Sequence, residues 1–236
     1  MRPVLLRPVP RDPLGPPSSS AARPVASAAS VAAREEADTR LVEGLREGRA
    51  WAQRALLEEH TGLVERVLLR ILGRFSDLDD LVQDVFVRVL DRVDEIREPA
   101  ALRGFIASIT VFVAREAIRK KRRKRWLVFS GSDETPEPVA EGVDEEARAA
   151  LGELYDVLDA LDEDARIAFT LRYIDGMEVA DVGQACGVSL STIKRRLRES
   201  EARVGELAMS RPTLARFVQD GGRWAGTSAT GASHER

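Results

Sequence analysis

Cysteine occurs once, as Cys186, so no disulfide can form within the chain. Histidine occurs only at His60 and His234. Neither stands at a spacing from Cys186 that would build a Cys/His zinc site, so no metal and no cofactor is expected. Neither histidine has a serine, cysteine or acidic partner in a recognisable catalytic arrangement, and no glycine-rich phosphate loop is present. Enzymatic activity and a small-molecule substrate are therefore not expected. Aromatic residues make up 5% of the chain, and long alternating β-branched runs are missing, which points away from sheets and towards helices. No run of about 18 apolar residues exists, so membrane insertion is not expected. Prolines interrupt the opening MRPVLLRPVPRDPLGPP where a signal peptide needs a continuous apolar core, which predicts a cytoplasmic location.

What the chain does have is segregated charge. Its formal net charge is only −3. Yet Arg119 to Arg125 is an unbroken basic run, RKKRRKR, while residues 130 to 146 contain acidic residues and no basic ones. Such asymmetry predicts an anionic partner at one place and a cationic one at another.

Composition divides the chain into five stretches. Residues 1–34 are rich in Pro, Ala, Ser and Arg without apolar periodicity, and read as a disordered extension. A helical unit fills 35–129. Leu41, Val42, Leu45, Trp51, Ala55, Leu56 and Leu57 suit two short helices parted near Gly48, and TGLVERVLLRILGRF a longer third. FSDLDD predicts a turn with Ser76 as N-cap. It leads into DLVQDVFVRVL, an amphipathic helix. Arg97-Glu98-Pro99 marks a loop, and a helix from about Ala101 to Lys124 ends in the basic run. Seven cations exceed what a helix dipole alone requires. Residues 130–144, SGSDETPEPVAEGVD, read as a flexible acidic linker. A second helical unit spans 145–210, and the tail 211–236 reads as disordered.

Within the second unit, EVADVGQACGVSLSTIKRRLRESEARV has helix-turn-helix spacing. Val179, Val182 and Ala185 pack a first helix, Gly187 supplies the turn, Val188 plugs the angle, and Ser189 caps a second helix. Leu190, Ile193, Leu197 and Val204 form the inner arc of that helix. Ser191, Thr192, Lys194, Arg195 and Arg198 lie on its outer face and flanks, where a major groove would meet them. On the earlier amphipathic helix, Asp80, Gln83 and Asp84 surround an exposed Val87, a small apolar centre within a polar rim.

These motifs in this order resemble the bacterial RNA polymerase sigma factors of the two-domain, extracytoplasmic-function type. EHTGLVERVLLRILG, DLDDLVQDVFVRVL and LRGFIASITVFVAREAIRKKRRKRW resemble the family's second region. LDALDEDARIAFTLRYIDGM with the helix-turn-helix resembles its fourth, and the acidic interval leaves no room for a third. The resemblance implies an all-α fold of two small helical domains, a helical bundle and a helix-turn-helix unit. It implies a non-catalytic subunit that takes core polymerase to promoters. Asp80, Gln83, Asp84 and Val87 would meet the clamp helices of the largest core subunit. Ser191, Thr192, Lys194, Arg195 and Arg198 would read the upstream promoter element. Arg97, Phe105, Arg115, Arg119 and Lys120 would meet the downstream element, where strands open. An anti-sigma protein would be a further partner. Ser108 and Phe112 depart from the family, which commonly has a basic residue and an asparagine there. Two other readings follow from the same residues: a helix-turn-helix regulator acting on operators without polymerase, or a sigma-like interaction protein that does not initiate.

Overall fold

The computed structural model describes residues 28–73, 75–127 and 145–219. The extension before residue 28, the acidic stretch 130–144 and the tail beyond residue 219 lie outside the described residues. Every regular element among them is helical. The first unit contains α1 (Ala28–Arg46), α2 (Ala50–Leu72), α3 (Leu78–Asp91) and α4 (Leu102–Leu127). The second contains α5 (Glu145–Asp159), α6 (Glu163–Phe169), α7 (Val179–Cys186), α8 (Leu190–Ala208) and α9 (Pro212–Gln219).

Several sequence expectations change. Helix α1 begins at Ala28, inside the stretch 1–34 expected to be disordered. The helices expected on either side of His60 are one continuous α2, because nothing between Leu57 and Leu63 breaks it. The Thr61 hydroxyl donates to the Leu57 carbonyl within the same turn, and Gly62 is tolerated in the interior. Trp51 and Leu57, expected on the apolar face, are exposed. Asp77 and not Ser76 occupies the N-cap position of α3, with the Ser76 hydroxyl donating to the Asp77 carboxylate. Part of the tail is ordered as α9, because Pro212 sets the first turn and Leu214 is fully buried on α5 and α8. That attachment is also polar: the Leu214 amide donates to Glu153 at 2.7 Å and Arg211 pairs with Asp156 at 2.9 Å.

The two units do not keep separate cores. One continuous cluster runs from Leu41, Leu56, Leu68, Val85 and Ile106 of the first unit to Ile167, Leu171, Val182, Ala185 and Ile193 of the second. A smaller cluster joins α5 to Phe169, Val204, Ala208 and Leu214. Arg166, almost wholly buried, donates to the Ile71 carbonyl at 2.7 Å and to Asp159. Tyr155 donates to the Leu69 carbonyl at 3.1 Å. The C-terminal end of α2 is thus gripped by α5 and α6.

The helix-turn-helix forms as its sequence demands. Gly187 ends α7 at φ 67°, a left-handed conformation that costs a residue with a Cβ about 1–2 kcal/mol. Ser189 caps α8 by accepting from the Thr192 amide. Leu190, expected on the inner arc, is 48% exposed, because the first turn of α8 extends past the core. Cys186 is buried, and burial pushes its thiol up to about 11, so it packs as a small hydrophobe.

Two stability predictions follow. Ser189→Ala removes the cap and is expected to cost about 1 kcal/mol in denaturant unfolding, with Gly187→Ala costing at least as much. His60 is 7% exposed, and among the described residues its Nε2 meets no hydrogen-bonding partner. Burial, the largest cause, holds its pKa below the ordinary 6.5. The unfolded chain therefore binds a proton that the folded chain refuses. Stability is full above about pH 6.5 and falls as the pH drops towards the lowered value. Unfolding midpoints measured from pH 7.5 to pH 5.5 should show this slope, and His60→Leu should flatten it.

Candidate nucleic-acid interface

Helix α8 presents the outer face that the sequence assigns to it. Ser191, Lys194, Arg195 and Arg198 are exposed and Thr192 is half-buried. Arg195 is paired along the helix with Glu199 at 3.0 Å, an exposed pair weak enough to yield to a phosphate. Arg198 reaches back to the Lys194 carbonyl at 3.4 Å. Arg196 turns inward and binds Asp164 at 2.8 Å.

On α3, Asp80, Gln83 and Val87 are exposed, Val87 to 49%. Asp84 is not a bare carboxylate: it accepts from Arg88 at 2.9 Å. Arg88 also pairs with Glu116 of α4 at 2.8 Å and lies over the Phe112 ring at 5.1 Å. Phe112 is 43% exposed. The exposed Phe112 ring of α4 is therefore joined to α3 through the Arg88 guanidinium. Sequence reasoning had marked Phe112 only as a departure from the family. The i to i+4 spacing of Asp84 and Arg88 was the signal available for the network.

The residues assigned to the downstream element divide. Arg97 and Lys120 are exposed, and Phe105 is half-buried against the core. Arg115 and Arg119 instead point at the second unit. Arg115 pairs with Asp164 at 3.0 Å, and Arg119 with Glu163 at 2.8 Å. Arg122 approaches the same Glu163 at 3.4 Å and donates to the Leu161 carbonyl, while Lys121 stands 3.8 Å from Asp159. The hydrogen bond from Arg119 holds the Glu163 carboxyl below its ordinary value. Nearer the start of α4, the Ser108 hydroxyl donates to the Gly104 carbonyl at 3.0 Å and reaches the Gln184 carbonyl of α7 at 3.4 Å. Sequence reasoning missed Glu163, Asp164 and Arg196. The clustered acids of LDEDAR were legible, but which helix they would face was not.

Comparison with known families covers both units. Residues 56–124 match the model described as Sigma-70 region 2, and residues 151–204 match Sigma-70, region 4. The ECF RNA polymerase sigma factor SigE of Mycolicibacterium smegmatis is 28% identical over 145 residues, covering 60% of this chain and 56% of that protein. A probable RNA polymerase sigma factor of Xanthomonas campestris, RfaY, is 27% identical, covering 72% of this chain and 44% of that protein. The chain thus spans about half the length of these two relatives. It spans 82% of the ferric citrate uptake sigma factor FecI of Escherichia coli, at 29% identity over 60% of this chain. Among solved structures, CnrH in complex with the cytosolic domain of CnrY matches with a TM-score of 0.53 and 22% identity, covering 74% of this chain and 98% of that one. The sigma factor RpoE of Bartonella quintana, solved with the anti-sigma factor NepR, matches with a TM-score of 0.50 and 20% identity, covering 65% and 94%. With both conserved regions present in order and the helical fold shared, the chain belongs to the sigma-70 family, in its two-domain extracytoplasmic-function type.

Proposed function

We propose that this protein is a dissociable specificity subunit of bacterial RNA polymerase, binding the core enzyme in the cytoplasm and carrying it to particular promoters. The observation that carries this reading is the presence, in one chain, of a capped helix-turn-helix with an exposed cationic outer face and a separate helix with an exposed polar strip. An operator-binding regulator needs the first and has no use for the second. The α8 face, Ser191, Thr192, Lys194, Arg195 and Arg198, reads the upstream element. Arg and Lys there contact phosphates and guanine edges.

Asp80, Gln83, Asp84 and Val87 dock on the clamp helices of the largest core subunit, and the Arg88–Phe112 pair extends that patch onto α4. Arg97, Phe105, Arg115, Arg119 and Lys120 meet the downstream element as the strands part. The protein performs no chemistry itself, since nucleotidyl transfer belongs to the core. An anti-sigma protein is its natural restraint, as NepR is the partner of the Bartonella RpoE in the related structure.

Run-off transcription with purified core polymerase on the gene's own upstream region tests this directly. A specific transcript that depends on the protein is expected, and DNA binding without any association with core would overturn the reading. Within that assay, Gln83→Ala combined with Asp84→Ala should weaken core binding by about tenfold or more, as loss of central interface contacts does. Unfolding temperature should move little, because the Asp84–Arg88 pair is a half-exposed surface bridge. Arg195→Ala with Arg198→Ala should reduce holoenzyme affinity for the upstream element about tenfold or more and make binding less salt-dependent. Gel-shift titrations at several salt concentrations measure both.

A further inference from the structure

The segment ahead of α4 that carries Arg97 is built from two short three-ten turns, Val93–Glu95 and Pro99–Ala101, with an extended joint between them. Val93 and Ile96 are buried and fasten it to the core, while Asp94, Glu95, Arg97 and Glu98 are exposed. Arg92 closes the first turn on Glu95 with two hydrogen bonds, at 2.9 and 2.7 Å, and these hold the Glu95 carboxyl below its ordinary value. Arg92 is thereby committed within the segment, and Arg97 faces solvent. Ile96 is extended, at φ −72° and ψ 107°. Its amide makes the last hydrogen bond of the first turn, to the Val93 carbonyl at 3.1 Å. Its carbonyl is taken by a residue fifty positions earlier: the guanidinium of Arg46, in the last turn of α1, donates to it. A peptide group is planar, so the Ile96 carbonyl and the Arg97 amide turn together. Whatever holds that carbonyl sets the direction in which Arg97 leaves the core.

Arg46 is itself held from two sides. Gly48, at φ 67°, closes a tight turn between α1 and α2, where the Gly48 amide donates to the Leu45 carbonyl at 3.0 Å and the Arg49 amide to that of Gly44 at 2.9 Å. Gly44 lies so close to Trp51 that a Cβ there would stand 2.5 Å from the indole ring. Leu41, Val42 and Leu45 bury the adjoining face of α1, and α1 packs against both three-ten turns. We propose that Arg46 is a positioning residue for the downstream element, fixing through the Ile96 carbonyl the direction in which Arg97 meets the bases. Helix α1 lies ahead of residues 56–124, the stretch matched as region 2, so base selection draws on a helix outside that stretch. Hydrogen bonds to base edges weaken steeply as their geometry departs from linear. A segment free to turn at the 96–97 peptide would still attract phosphates yet discriminate poorly among bases.

This inference rests on Arg97 meeting the downstream element, and the test separates the two claims with three variants of the full chain. Arg46→Ala removes the donor, Arg46→Lys keeps a charge and a donor without the planar fork, and Arg97→Ala removes the group being positioned. Hydrogen–deuterium exchange of the free protein reads the brace without polymerase. Arg46→Ala should speed exchange in peptides covering residues 92–101 about tenfold, the scale of one hydrogen bond from a charged donor, and leave those covering α3 and α8 unchanged. Run-off transcription with core polymerase reads selection, on templates carrying each single-base change of the downstream element beside a constant upstream element. Arg46→Ala should narrow the spread between best and worst templates about fivefold, the lower end of what one base contact discriminates. The affected base positions should be those that Arg97→Ala affects, with part of the spread restored in Arg46→Lys. Unchanged exchange over 92–101 overturns the positioning role, and so does an equal loss on every template, which is what a merely destabilised protein gives. Template preferences altered by Arg97→Ala but not by Arg46→Ala overturn it as well, and leave Arg97 in place as a DNA contact. If Arg97→Ala itself leaves the preferences intact, the assignment of Arg97 to the downstream element fails, and the recognition role of Arg46 with it.

Discussion

Asp164 holds two guanidinium groups from two different helices, Arg115 of α4 at 3.0 Å and Arg196 of α8 at 2.8 Å. One carboxylate in the first turn of α6 therefore ties the basic helix of the first unit to the helix-turn-helix of the second. Its position suits that task for local reasons. Asp162 caps α6 by accepting from the Ala165 amide at 2.8 Å, which places residues 163 and 164 in the first turn, where the helix dipole favours negative charge.

The surrounding packing explains why the units associate. Residues of α6, α7 and the start of α8 share the large core of the first unit, whereas α5, α9 and the end of α8 close a smaller cluster of their own. The second unit thus has apolar anchorage beyond the interface. The smaller cluster attaches α8 to α5, and α9 adds Leu214 and two polar ties to that attachment. An element outside the matched family region, α9, supports the part of the helix-turn-helix domain that does not lean on the first unit.

Much of this organisation was legible from local signals. Gly187 and Ser189 fix the turn and cap by backbone and hydrogen-bonding rules that act within a few residues, so the helix-turn-helix could be located from its sequence. The exposure of Val87 followed from its place opposite the apolar arc of α3. Signals that depend on neighbours far along the chain were not legible. Leu190 matched the apolar period yet lies beyond the core that its period implied. Arg115 and Arg119 looked like solvated cations ready for phosphate, and only the approach of α6, more than forty residues later, shows them paired. The helix of Pro212–Gln219 was hidden because its short apolar group, Leu214, Phe217 and Val218, runs straight into a polar, glycine-rich stretch.

The strength of the polar contact between the units follows from the exposure of its parts. Arg119 and Arg122 keep 56% and 39% of their side chains in contact with solvent, and Glu163 keeps 22%. Such pairs contribute a few tenths to about 1 kcal/mol each and weaken with salt. The Arg115–Asp164 and Arg70–Asp175 bridges are more sheltered, with Arg115 at 19% and Asp175 at 9%. These ion pairs are small terms beside the buried apolar cluster that the two units share. Had the contact been sealed by a fully buried ion pair, breaking it would leave uncompensated charges and cost several kcal/mol. The half-exposed acids of α6 add a modest, salt-sensitive contribution to the packing of the two units, whose larger part is the apolar core they share.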